Sequence, residues 1–233
     1  MTAGLALLLS AAIAAATPAP TADYDTRTIE GWTVRVHRDF PRDDPELAEK
    51  TFSLLADQLR GIVRMVPAEA VAKLRKITIW VERAEPHHPC MAYHPDPGWL
   101  RDHDMNPEKA RCVEIANAAN FLSWCRDQPW MVLHELAHGY HHQFVAEGFD
   151  NPEVAAALAR ARESKIYENV LHINGRETRH YALTNPMEFF AESSEALFGA
   201  NDFYPFVRAE LKRHDPEVHA LMRRLWLVEP RGG

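Results

Sequence analysis

Residues 131–143 read MVLHELAHGYHHQ, with four histidines and one glutamate between His134 and His142 in a single helical pattern. His134 and His138 stand one helical turn apart, so both imidazoles leave the same face and can fill two positions of a zinc tetrahedron. Glu135 lies about 100° around the helix from His134, where it reaches a metal-held water without being a ligand. His141 returns to nearly the angle of His134, but two turns on and about 10 Å along the axis, too far to share a metal with it. His141 and His142 are therefore expected as neighbours of the site, lining a cleft wall or capping the helix end.

Two histidines need a third ligand. A third His ten positions after the first, as metzincins require, is excluded, because that position is Phe144 and the Gly expected at position 141 is a histidine. A second helix supplies an alternative: NPMEFFAESSEALFG (185–199) opens on Asn185-Pro186, runs at helical period and stops at Gly199. It carries Glu188 and, one turn later on the same face, Glu192. In isolation such a pair reads as the solvated face of an amphipathic helix, and Tyr181 as an ordinary aromatic. Their order and spacing after HELAH give them a different meaning.

HELAH followed by YALTNPMEFFAE resembles the lethal-factor and Pro-Pro endopeptidase group of gluzincin zinc metallopeptidases, over roughly Pro129 to Gly199. The resemblance implies an α+β, zincin-like domain, with a small N-terminal sheet followed by a mostly helical half. It implies one Zn2+ per chain on His134, His138 and Glu188, with Glu135 as general base and Tyr181, seven residues before Glu188, as oxyanion donor. Glu192 is expected to hydrogen-bond the free ring nitrogen of a ligating histidine. The activity implied is hydrolysis of peptide bonds in a peptide or protein substrate; a catalytically inactive zinc-binding module and a hydrolase of non-peptide amides are the alternatives. Residues 23–128 carry no such resemblance, so no cleavage preference transfers.

Around these helices the rest reads as one domain without internal repeat or linker. WTVRVH contains the alternation of a half-buried strand, Asp44 to Val66 a helix with Pro45 in its first turn, and KITIWVER (76–83) a second strand, giving β-α-β. Residues 84–111, rich in proline and histidine, read as one long loop, either a substrate-cleft wall with Tyr93, Trp99 and Leu100 or a cover over the strands. His87, His88, His94 and His103 are expected to hydrogen-bond locally rather than bind a second metal. CVEIAN (112–117) suits a short strand, and Pro129 opens the HELAH helix. A helix from Pro152, a hairpin about Asn174-Gly175 and closing helices broken at Pro216 complete the pattern.

The net charge of −7 gives no general attraction to phosphate backbones, which excludes nucleic acid as an expected partner. The apolar run Leu5 to Ala16 is too short to span a bilayer comfortably and suits a signal-peptide core in a segment 1–22, with cleavage after Ala16 or Ala22 and residues 23–233 as the mature domain. The protein is thus expected to be secreted or periplasmic, with no stable membrane insertion; its oligomeric state is left open. Export would place Cys90, Cys112 and Cys125 in an oxidising compartment, where one disulfide can form. Cys90–Cys112 is the favoured pair and Cys90–Cys125 the rival.

Overall fold

The structure, a computed structural model, describes residues 18–228. The signal-peptide core and the Ala16 cleavage position lie outside the described residues. Just after them the chain is docked: Asn106 Nδ2 donates to the Ala19 carbonyl at 3.1 Å and the Arg38 guanidinium to the Ala22 carbonyl at 2.7 Å.

The architecture is α+β, a small mixed sheet with helices that dominate the later part of the chain. Strands β1 (Tyr24–Ile29) and β2 (Trp32–His37) form an antiparallel hairpin. Its two-residue turn, Glu30-Gly31, has positive φ at both positions (50° and 90°), the geometry that matches strand twist. Glycine accepts that φ without cost at the second position; the sequence reading had only the second strand. A five-residue turn α1 (Asp39–Asp43), the long helix α2 (Pro45–Met65) and α3 (Ala68–Leu74) lead to β3 (Ile79–Val81), parallel to β2. The expected β-α-β unit is present, with the second strand shortened at both ends.

The expected loop 84–111 contains an edge strand, β4 (Met91–His94), and a short helix, α4 (Pro97–Asp102). Four residues between prolines are too few to show a period, which is why β4 escapes sequence reading. It pairs antiparallel with β5 (Cys112–Ile115), itself parallel to β3, giving the order β1-β2-β3-β5-β4. Register places Val34, Ile79, Val113 and Tyr93 in one row, and Val36, Val81, Ile115 and Met91 in the next, on the face that enters the core. The opposite face shows Arg35, Trp80 and Glu114. Buried Glu114 is paired there with Lys109 and hydrogen-bonded to His94 Nε2 at 2.7 Å, and Lys109 also reaches Glu82 at 2.8 Å. Of the three residues expected to wall a cleft, Tyr93 lines one beside α6, whereas Trp99 and Leu100 do not.

The same register corrects the disulfide. His94 opposes Cys112 and Met91 opposes Ile115, so Cys90 and Cys112 lie at opposite ends of the β4–β5 ladder. At about 3.4 Å per residue they are far beyond disulfide reach. All three cysteines are free, with Cys90 Sγ packed 3.5 Å from Met131 Sδ.

Helices α5 (Ala118–Trp124), α6 (Met131–Phe144) and α7 (Pro152–Ser164) follow. The predicted hairpin is β6 (Val170–Leu171) with β7 (Glu177–Thr178), and Gly175 at its tip has φ 83°. Then come α8 (Pro186–Phe198), α9 (Arg208–His214) and α10 (Pro216–Leu225), broken at Pro216 as read. An Asx-Pro pair opens α2, α7, α8 and α10 alike: the Asp or Asn side chain accepts the backbone N–H three residues on, and proline takes the first helical position. No helix among the described residues is long and apolar enough to cross a membrane.

His141 is completely buried between Phe190, stacked at 4.5 Å, and Phe149, and His180 is buried against Phe203. Burial lowers each imidazole from its ordinary 6.5 to about 3. Both stay neutral in the fold while the unfolded chain takes up protons below about 6.5, so stability is lost as pH falls from 6.5 towards 3. Melting curves between pH 7 and 4 should therefore show a smaller loss for His141→Phe than for the parent; an equal loss would mean that His141 is not a neutral core group.

Candidate metal centre

The centre is built where α6 crosses α8. Residues Phe189 to Phe198 are all buried, so the glutamates of α8 have no solvated face and must find partners inside. Glu188 sits in the first turn, its own N–H capped by Asn185 Oδ1 at 2.9 Å. Its Oε2 lies 3.1 Å from His134 Nε2 and 3.5 Å from His138 Nε2, and the three ligand atoms fall within 4.8 Å of one another. An ion 2.0–2.1 Å from each of two tetrahedral donors separates those donors by about 3.3 Å, so the two imidazole and one carboxylate donors suit zinc in chemistry and the two Glu188 distances suit it in spacing. Electrostatics agree. Burial alone would lower His134 and raise Glu188, yet the carboxylates of Glu188 and Glu195 hold His134 well above its usual range and the two imidazoles hold Glu188 far below its own. A positive charge belongs among these groups.

The free nitrogen of His134 is taken by a residue the sequence reading missed. Glu195 Oε1 lies 2.7 Å from Nδ1, whereas Glu192 Oε1, the expected partner, stands at 3.7 Å. Glu195 is seven residues beyond Glu188, two turns along the same face, and that spacing was available in the sequence. His134, Glu192 and Glu195 also form a second cluster of donor atoms within 4.8 Å. At 2.7 Å the Nδ1 proton is shared with Glu195, so this cluster supports the imidazole rather than offering it to another ion. His138 Nδ1 is buried with no hydrogen-bond partner among the described residues.

Glu135 leaves α6 towards the sheet edge. Its Oε2 accepts the backbone N–H of Tyr93 in β4 at 2.8 Å. Gly139 makes this approach possible, since a Cβ there would meet Ile77 Cδ1 at 2.6 Å and the Tyr93 ring at 3.1 Å. A second glycine sets the α6–α8 junction: a Cβ on Gly199 would lie 2.0 Å from the ring of Trp130, the N-cap residue of α6. Tyr181 occupies a single 3-10 turn just before α8 and is 47% exposed. Burial, then the charge of Glu188, raises its pKa, so the hydroxyl remains a proton donor.

His134, Glu135, His138, Tyr181, Glu188 and Glu192 all line one cleft of about 510 Å3, together with β4, Trp124, Met131, His172, Asp202 and Phe203. His172 and Asp202 left no sequence signal, because a tertiary pairing of the hairpin with residues 201–204 brings them in. His142 lies outside the cleft lining, hydrogen-bonded to the Tyr93 hydroxyl at 2.8 Å, and of the loop histidines His94 bonds Glu114 and His103 Nδ1 the Trp99 carbonyl at 2.8 Å. No family model matches the chain, and no curated protein or solved structure does.

The arrangement makes Glu195 the support of the first histidine. Glu195→Gln should weaken zinc binding about 10- to 100-fold in a competitive chelator titration, and Glu192→Gln less; the reverse order would return that role to Glu192.

Proposed function

We propose that the protein is a zinc metalloendopeptidase of zincin-like fold, with the ion held by His134, His138 and Glu188. The observation that carries this reading is the convergence of those three donor atoms to within 4.8 Å of one another in a cleft that Glu135 and Tyr181 also line. When bound, the ion supplies an activated water and polarises the substrate carbonyl. Glu135, whose carboxylate is oriented by the Tyr93 N–H, accepts the water proton and passes it to the leaving amine. The Tyr181 hydroxyl, raised in pKa and open to the cleft, donates to the oxygen on which charge develops.

The resemblance in the α6 and α8 segments supports a peptide or protein substrate, and the run Leu5 to Ala16 supports export to a secreted or periplasmic location. Cleavage after Ala16 keeps the docked Ala19 and Ala22 carbonyls, whereas cleavage after Ala22 removes both contacts.

Metal analysis of the purified protein should find about one zinc per chain, lost in His134→Ala and in Glu188→Ala; protein without bound zinc at neutral pH would sink the centre. Glu135→Gln should retain the metal and lose on the order of 100-fold or more in kcat on a peptide substrate. Wild-type turnover by that variant would remove Glu135 as the base. Tyr181→Phe should cost roughly 100-fold in kcat with zinc content intact, and an unchanged kcat would take the phenol out of the reaction.

A further inference from the structure

Resting on the peptidase reading, we propose that His142 and Gln143 are positioning residues for the base: by holding the Tyr93 phenol they fix the edge strand whose N–H orients Glu135. Both belong to the histidine-rich stretch of α6, and neither lines the cleft.

One residue of β4 is held by α6 at two points. At the backbone, the Tyr93 N–H donates to Glu135 Oε2 at 2.8 Å. At the tip of the side chain, Gln143 Nε2 donates to the Tyr93 hydroxyl at 3.1 Å, which leaves the phenolic proton for His142 Nδ1 at 2.8 Å. Glu135 and His142 are seven residues apart, two turns and about 10 Å along the helix axis. Between them the ring passes Gly139, where a Cβ would stand 3.1 Å from it.

Strand β4 needs such a hold. It has four residues, pairs on one side only, with β5, and spends the Tyr93 N–H on Glu135. Gln143 Nε2 also donates to the Arg111 carbonyl at 3.0 Å, just ahead of β5, and the Arg111 N–H donates to the His94 carbonyl at 2.6 Å, so the end of α6 grips both strands of the pair. Phe149 stacks on His142 at 4.6 Å and meets the Tyr93 ring edge-on. Burial and the charge of Arg111 lower the pKa of His142, so its ring is neutral at pH 7 and Nδ1 is free to accept; burial raises that of Tyr93, which keeps its proton. Loosening this hold leaves the metal ligands in place but lets the base stray from its water, which costs rate rather than affinity.

The test separates the hydrogen bonds from the packing. His142→Phe keeps the stack on Phe149 and removes the acceptor, His142→Asn returns an acceptor near the place of Nδ1, Gln143→Met removes the donor, and Tyr93→Phe removes the hydroxyl. With zinc content equal to that of the parent, His142→Phe, Gln143→Met and Tyr93→Phe should each lower kcat on a peptide substrate about tenfold with KM held within about twofold, and His142→Asn should recover most of the loss. Unchanged kcat in these variants, or a loss that follows zinc content or melting temperature instead of the hydrogen bond, overturns the positioning role and leaves the peptidase reading standing. Amide hydrogen exchange reads the same hold without turnover. In His142→Phe the Tyr93 amide should exchange about tenfold faster, while Val113, whose N–H donates to the Thr78 carbonyl at 3.0 Å, keeps its parental protection. Unchanged exchange at Tyr93, or faster exchange at both amides, overturns the proposal whatever the activity. If the zinc-loaded parent cleaves no peptide, the peptidase reading falls and the positioning role in hydrolysis falls with it, even where the Tyr93 amide responds.

Discussion

The imidazole of His134 is gripped from both sides by one helix. Glu188 approaches Nε2 and Glu195 approaches Nδ1, and their seven-residue separation spans two turns of α8, so the ring fixes the register of α8 against α6. Buried carboxylates that lost this ring would be left without counter-charge, which ties packing and chemistry to the same contact. Neighbouring residues serve the crossing. Gly199 makes room for Trp130, Asn185 caps the turn that carries Glu188, and Trp226 of the C-terminal segment stacks on Tyr140 of α6 at 4.1 Å while donating to Ser194 of α8 at 2.9 Å.

What the sequence made legible follows from which forces are local. Helix starts were readable because an Asx-Pro pair acts within four residues, and the Asn174-Gly175 hairpin because a tight turn has its own chemistry. Strand β4 was not, since its four residues are held by β5 and by the close approach of α6, neither of which leaves a periodic trace. The same limit applied within the site. His134, His138 and Glu188 were named from spacing along two helices and do converge, but the choice between Glu192 and Glu195 depended on how α8 is rotated against α6. His172 and Asp202 come from a hairpin and a loop whose pairing is purely tertiary. The Cys90–Cys112 pairing failed for a related reason: the apolar stretch that marked Cys125 as the free thiol said nothing of the register that holds the other two at opposite ends of a ladder.

The centre is also where the fold departs from its own rules. Elsewhere buried charge is compensated, as in the Glu82–Lys109–Glu114–His94 cluster beneath the sheet. Around the cleft, oxygens of Glu192, Glu195 and Asp202 lack hydrogen-bond partners, and burial pushes all three carboxyls up from their ordinary range. A helix such as α8 would be more stable with apolar residues at these positions. Departures of this kind concentrate where a protein holds something other than itself, and here they surround the imidazole that would carry the ion.

Whether such an ion would be structural or catalytic turns on the groups near it that are not ligands. A structural zinc closes its tetrahedron with a fourth side chain. Among the described residues no fourth His, Cys, Asp or Glu joins the group of His134, His138 and Glu188. Cys90, a soft donor in the same cleft wall, packs its sulfur against Met131, and burial pushes its thiol up to about 12, which disfavours the thiolate a metal needs. Glu135 accepts a backbone N–H of the edge strand and lines the same cleft without joining the donor cluster. An ion on these three residues would therefore lack a fourth side chain of that kind, and Glu135 and Tyr181 line the same cleft, which is the arrangement that the proposed hydrolysis needs and a structural clasp does not.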